Sequence, residues 1–289
     1  MSAEFCIIAN DYTTTTVRHI AGDYVNTDFA DAINALQPWV GKQRIVEDDI
    51  SLTMVRRIAA MLDLAPDSFS NGTPLPPHWF TMFFADNARQ SNIGPDGHPE
   101  SGLFLPPIPL PRRMGAGRRV TISGHLTAGE PARKIAEVAA IVPKEGRSGQ
   151  IAILTMRHTI EAAGRVIAID EFDAIYREAV APGQKTTATR PAAAPDHAQW
   201  SVTTHLTEPL VFRYSAITWN AHRIHYDADY TRDQEGYDHT VQNGGLTMQL
   251  MLDGTLARDN RTLTGFETRL TYPVFVGDTI TVCGNATTP

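Results

Sequence analysis

Across residues 50–64 the apolar positions Met54, Val55, Ile58, Met61 and Leu62 recur every three or four residues, behind an acidic run of Glu47, Asp48 and Asp49. That spacing predicts an amphipathic helix with an acidic entry. Residues 150–161 follow the other period. Ile151, Ile153, Thr155, Arg157 and Thr159 fall on one side of an alternating run, which predicts a strand, and 119–126 and 132–142 read as its neighbours. Between the helix and the strands, the aromatic block 77–84 predicts the start of a first buried helix. In the last third, 200–206 and 262–272 read as strands, 246–256 is apolar enough to predict a buried helix, and 212–227 reads as a strand running into a loop. The short connections suit antiparallel pairing.

The stretch 179–199 has no periodic apolar face and is rich in Pro, Ala and Thr, so it reads as an extended linker. It separates an N-terminal domain, 1–178, from a C-terminal domain, 200–289. No plain sequence repeat relates the two, although each shows a similar order of elements.

With 289 residues, 42% of them hydrophobic, the chain can build one large or two ordinary cores. No apolar run approaches the roughly 20 residues that span a bilayer. Residues 1–10 carry Glu4 and no basic cluster ahead of a short apolar piece, so no secretory signal is expected. Cys6 and Cys283 lie far apart without ligand spacing, and a reduced, cytoplasmic protein without structural zinc is the simplest reading. The formal charge of −7 argues against nucleic acid as a partner. No metal and no membrane contact are expected.

The candidate chemistry is concentrated between 212 and 245. Asn220 and His225 can face one small site if the segment between them bulges. His225 then moves a proton near neutral pH, while Asn220 fixes a water or a substrate oxygen without titrating. The same spacing also fits a polar loop with a histidine satisfied by the backbone. Gly244 and Gly245 precede the apolar helix, and glycines there let the backbone approach a ligand while its first N–H groups stay unpaired. Such an end can hold a thioester oxygen as it takes on enolate charge. Arg112 and Arg113, followed by Arg118 and Arg119, form a basic cluster beside a Pro-rich segment, fit either for phosphates or a carboxylate, or for a solvated face. Arg213, His222 and Arg223 lie nearer the proposed chemistry, and Tyr237 and His239 fall in the loop before the helix.

The segment 212–275 resembles the MaoC-like hydratase and dehydratase family. The family signature runs Asp-x-Asn-Pro-x-His, then a short run ending in His-Gly at the central helix. Here Asn220 stands at the position of the Asp, His222 and Arg223 at those of the Asn-Pro, His225 at that of the His, and Gly244 at the helix-entry glycine. The altered version is similar to a branch containing mitochondrial-type 3-hydroxyacyl-thioester dehydratases and mesaconyl-C4-CoA and itaconyl-CoA hydratases. Residues 92–99, 104–114, 144–149, 175–179 and 272–278 extend that likeness. The resemblance implies an α+β double hot-dog, two antiparallel sheets each wrapped around a central helix. The catalytic motif would lie in the C-terminal unit and the N-terminal unit would be non-catalytic. It also implies a further strand after 276–283, which a chain ending at 289 either lacks or has lost by shortening.

The implied activity is reversible hydration of an α,β-unsaturated acyl-CoA thioester, with a branched C4–C5 dicarboxylic acyl group expected. Alternatives are dehydration of a 3-hydroxyacyl carrier-protein thioester, or acyl-thioester binding without turnover. His225, Asn220 and Gly244 would be catalytic. Arg213, His222, Arg223, Gly245, Arg112 and Arg113 would bind substrate. No separate cofactor is expected, because the CoA is part of the substrate, and a homodimer is expected.

Overall fold

The structure, a computed structural model, describes residues 27–146, 149–181, 185–186, 197–258 and 261–285. A short helix α1 (Thr27–Asn34) leads into strand β1 (Gln43–Asp48) and helix α2 (Leu52–Met61). Ser51 caps α2 by accepting the Met54 N–H, and the helix buries Val55, Ile58, Ala59 and Met61, the face that the three-four spacing marks. Four long strands follow: β2 (Arg112–Ile122), β3 (Ala132–Gly146), β4 (Gly149–Ala162) and β5 (Arg165–Arg177). After the linker come β6 (Trp200–His205), α3 (Glu208–Ile217), α4 (Ala228–Asp233), α5 (Gly244–Leu256), β7 (Gly265–Arg269) and β8 (Thr279–Gly284).

One antiparallel sheet has the order β1-β3-β4-β5-β2-β7, and β6 pairs with β8 in a second. The outer strand β7 belongs to the C-terminal half but pairs with β2, from Gly117 opposite Arg269 to Thr121 opposite Gly265. The main core likewise crosses the boundary. Ile50, Ile58, Trp79, Phe80 and Phe84 from the N-terminal half pack with Val211, Tyr214 and Ile217 of α3 and Leu246 of α5. No helix among the described residues is long and apolar enough to cross a membrane.

Several expectations change. The start of 212–227 is helical, not extended. Thr207 accepts the Leu210 N–H as N-cap, Glu208 and Pro209 open the first turn, and Val211, Tyr214 and Ile217 face the core. Those start signals lie before the aromatic and β-branched residues that suggest a strand. The block 77–84 forms only a 3₁₀ turn, Trp79–Met82, so the aromatic residues fill the core without a long helix. Third, β2 starts at Arg112, seven residues earlier than the alternation suggests, and the strand β5 is additional. Part of the linker is docked: the Thr186 N–H donates to Gly236 O (2.9 Å) and Lys185 pairs with Asp238 (2.6 Å). Residues 182–184 and 187–196 lie outside the described residues. Cys283 is buried in β8 and disulfide-bonded, correcting the expectation of a reduced thiol; its partner lies outside the described residues.

Candidate active site

The turn after α3 is held by its own backbone. Trp219 takes a left-handed conformation (φ 54°), after which the Asn220 N–H donates back to Ser215 O (2.9 Å). The Asn220 side-chain oxygen accepts the His222 N–H at 3.0 Å, a local bond typical of Asn in turns. The oxygen expected to hold a water therefore already has a backbone partner, and the NH₂ group is what Asn220 has left to offer. A 3₁₀ turn, Arg223–His225, brings His225 under the strand-like segment before α5. Its Nδ1 lies 2.7 Å from Val241 O. A carbonyl only accepts, so Nδ1 carries the proton and Nε2 presents its lone pair. Burial lowers the His225 pKa to about 4, against the opposing pull of the Val241 carbonyl and with added repulsion from His98, so the ring is neutral at physiological pH.

Val241 stands three residues before the first glycine of α5, so the bond that fixes His225 also ties it to the helix entry. Asn243 occupies the N-cap position without capping through its side chain, whose oxygen accepts the Ser215 hydroxyl (3.2 Å). The N–H groups of Gly244 and Gly245 lie in the first turn, where no intrahelical acceptor exists and the helix dipole is positive. A side chain at 244 would meet Leu270, and one at 245 would meet the Tyr214 hydroxyl. The constraint is firm at 245, where Tyr214 is buried, and weaker at 244, where the exposed Leu270 can move aside.

The N-terminal half supplies a second group of side chains. A loop from Gly94 to His98 closes on itself through the Gly94 N–H to His98 O (2.8 Å) and reaches the turn at 221–223. Gly97, at φ 91°, packs so closely that a side chain would run into the Ala221 carbonyl. The Arg223 N–H donates to Asp96 O (2.9 Å), and its guanidinium donates to Pro95 O (3.0 Å). Asp96 accepts from the His98 backbone (2.9 Å) and from His98 Nδ1 (2.8 Å). The His98 ring lies 4.1 Å from His222, and His222 lies edge-on to His225 at 5.6 Å.

Electrostatics keep this row of rings neutral and its carboxylate charged. For Asp96, burial pulls upward, but the His98 hydrogen bonds and nearby imidazoles outweigh it and leave the pKa at about 2. Burial, then the neighbouring His98 and His225, depress His222 to about 2. Burial also lowers His98, with Arg113 adding to the shift and Asp96 opposing it. Donor atoms of Asp96, His98 and His222 lie within 4.8 Å of one another, close enough to share a cation. The Arg113 charge that depresses both histidines opposes a cation there.

A cleft of about 820 Å³ opens beside these residues, lined among others by Asp96, His98, Arg113, Tyr176, Arg223 and Tyr230. The arginines divide sharply. Arg112, expected to bind substrate, is instead buried: it pairs with Glu235 (2.6 Å) and donates to Thr186, because those partners come from distant parts of the chain. Arg119 is a solvated pair with Asp173 and Glu171, and Arg213 is exposed on α3 away from the cleft lining. Arg118 pairs with the buried Asp170 (3.1 Å). Arg223 lines the cleft but is bound to Asp227 (2.7 Å) and stacks on Tyr230. Arg113 lines the cleft, and no ion-pair or hydrogen-bond partner is seen for it among the described residues. Tyr237 is buried edge-on to Phe275, and His239 is exposed. His78, fully buried, pairs with Asp253 of α5 (2.9 Å) and serves the packing of the halves.

Asp96 and His98 lie in the half expected to be non-catalytic, and the fold brings them to the turn that carries His222. The available signal was Pro95-Asp96-Gly97-His98, a tight turn carrying an acid and an imidazole.

The architecture is that of the MaoC-like double hot-dog proteins. It is similar to a MaoC-like dehydratase from Phytophthora capsici (TM-score 0.59, 13% identity, covering 89% of this chain and 87% of that one). It is also similar to a Mycobacterium tuberculosis protein described as a double hot-dog (TM-score 0.51, 14% identity, 86% and 83% covered). Residues 78–276 match the family hydroxyacyl-thioester dehydratase type 2, and the chain belongs to that family. It is thus a hydro-lyase, a hydratase or dehydratase of acyl thioesters. Mesaconyl-C(4)-CoA hydratase of Chloroflexus aurantiacus is 38% identical over 238 residues, 82% of this chain and 84% of that protein. The mitochondrial hydroxyacyl-thioester dehydratase type 2 of Schizosaccharomyces pombe is 35% identical over 97 residues, 32% of this chain and 31% of that protein.

Proposed function

We propose that this chain reversibly hydrates an α,β-unsaturated acyl-CoA carrying a free carboxylate, a branched C4–C5 dicarboxylic thioester of the mesaconyl-C4-CoA or itaconyl-CoA type. The observation that carries this reading is Arg113, a half-buried guanidinium at the cleft without an ion-pair partner among the described residues. A half-buried guanidinium with no ion-pair partner among the described residues suits an anionic ligand, and a carboxylate matches its fork of donors. The likeness to a mesaconyl-C(4)-CoA hydratase supports the same substrate class.

In this mechanism His225 Nε2 takes a proton from water as the water oxygen bonds to the β-carbon. The N–H groups at Gly244 and Gly245 receive the enolate charge of the thioester oxygen. Asn220 shapes the turn and offers its NH₂ group to the water or substrate. The protein acts as a homodimer, and the exposed Phe212, Trp219 and Tyr226 are surface that such a partner would cover.

Loss of enoyl-thioester absorbance with crotonyl-CoA, mesaconyl-C4-CoA and itaconyl-CoA tests the reading. The dicarboxylic thioesters should be turned over with the higher kcat/KM. Arg113→Gln should remove that preference, costing about 10²-fold on the dicarboxylic substrates and little on crotonyl-CoA, as expected when one partner of a buried charge pair is lost. A preference for crotonyl-CoA would reject the dicarboxylic assignment. Activity on carrier-protein thioesters alone would reject the CoA assignment.

A further inference from the structure

Asn220 cannot titrate, so the motif of the C-terminal half brings one acid–base group, His225, to a reaction with two proton movements. One proton leaves the attacking water and one reaches the α-carbon. The opposite half supplies a second group at the same turn. We infer that Asp96 and His98 form the second proton-handling pair of this site, with His98 Nε2 the atom that exchanges a proton with the α-carbon. The inference rests on the hydration reading above.

Four observations carry it. Asp96 has no proton to give, so His98 Nδ1 is the donor in their 2.8 Å bond and Nε2 is left for chemistry. The pair is fixed to the catalytic turn by three ties: the Arg223 N–H on Asp96 O, the Arg223 guanidinium on Pro95 O, and the close approach of Gly97 to Ala221. His98, His222 and His225 form one row of rings across the junction between the halves. Asp96 and His98 also line the cleft, so a substrate reaches them from solvent.

The groups facing His98 are Asp96 from its own loop, Arg113 from β2, and His222 and His225 from the turn; Glu100 and Arg223 line the same cleft. In the empty site Arg113 works against an imidazolium at 98. A substrate carboxylate on Arg113 cancels that repulsion, so filling the cleft favours the protonated ring with Asp96 as counter-ion.

The step balances without a co-reactant. As the water oxygen bonds to the β-carbon, one water proton passes to His225 Nε2. The electron pair of the C=C bond moves into the thioester enolate, held at the α5 entry. The enolate collapses by taking the His98 Nε2 proton onto the α-carbon, giving the 3-hydroxyacyl thioester. His225 then holds one proton more and His98 one fewer, and exchange with solvent resets both before the next turnover.

The test uses the full chain and the enoyl-CoA that the wild type hydrates best. His98→Gln should lower kcat about 10²–10³-fold with KM within a few-fold, the range expected for a lost proton-transfer group. One limb of the pH–rate profile should vanish with it. Added imidazole should restore part of the activity of His98→Ala. Asp96→Asn should lose less and move that limb to lower pH, because the imidazolium loses its counter-charge. A His98→Gln kcat within threefold of wild type, a loss confined to KM, or an unmoved pH profile would overturn the inference. So would loss of wild-type activity on dialysis against a chelator, which would make the cluster a metal site. A wild type that hydrates no enoyl-CoA defeats the hydration reading itself. An active wild type with an unimpaired His98→Gln defeats the second pair alone.

Discussion

Four of the five N-terminal strands, β2 to β5, run 11 to 15 residues, whereas β1 has six and strands β6 to β8 of the C-terminal half have only five or six and frame the 13-residue helix α5. The C-terminal half keeps the helix whose glycine entry can take up developing charge. In the N-terminal half the aromatic segment forms only the Trp79–Met82 turn, and the chain between it and β2 carries the loop with Asp96 and His98. One glycine helix entry lies in the C-terminal half, and the N-terminal loop lines the cleft beside the turn that follows α3.

The most severe test of that division is His225→Ala. Turnover should fall by about 10³-fold, within the range for a lost general base, with circular dichroism and melting unchanged. A well-folded variant of near-native rate would place the chemistry elsewhere.

Next comes Gly97→Ala, which strikes the contact between the halves. The substitution combines φ 91° with a collision against the Ala221 backbone, so the loop must withdraw. Activity should fall by one to two orders of magnitude and stability by about 2 kcal/mol, read as a lower melting temperature. Unchanged melting would mean that the halves meet without needing this close approach.

Acid titration sharpens the comparison, because the row of rings spans both halves. The folded protein accepts protons at His225 only near pH 4 and at His222 only near pH 2, whereas an unfolded histidine accepts one near 6.5. The unfolded state therefore binds more protons between about pH 6.5 and 4, and stability should decline as pH falls through that window. Asp96, whose folded pKa is also depressed, acts in the same direction but only below its unfolded value of 3.8, towards 2. Urea midpoints at pH 7, 6 and 5 measure the slope, and His222→Gln should flatten it.

The smallest effect should come from Arg119→Ala. Its pairs with Glu171 and Asp173 lie in solvent on the N-terminal sheet, where such pairs contribute about 0–1 kcal/mol. Hydration rates should not change.

Periodicity made much of this legible. The alternation of β4, the amphipathic α2 and the apolar run of α5 each follow from side chains that face the core at their element's own repeat. His225 and the two glycines stand out in the sequence because the residue types that could do this chemistry fall in one stretch. Helix α3 was hidden, since Phe212, Tyr214, Ile217 and Trp219 favour a strand while its start signals lie upstream. Arg112 looked available because nothing near it in sequence reveals Glu235, 123 residues away. Asp96 and His98 were passed over for the same reason: their meaning depends on His222, which only the folded chain brings beside them.

The pairing of β7 with β2 restricts how this molecule can move. Halves joined by a shared sheet cannot swing apart on a hinge without breaking main-chain hydrogen bonds and baring an edge of β2. Traffic through the site then depends on a standing opening and on side-chain motion around Arg113 and Tyr230, not on domain parting. The same stitching makes the halves poor candidates for separate expression, since each would carry an unfinished border that recruits other chains.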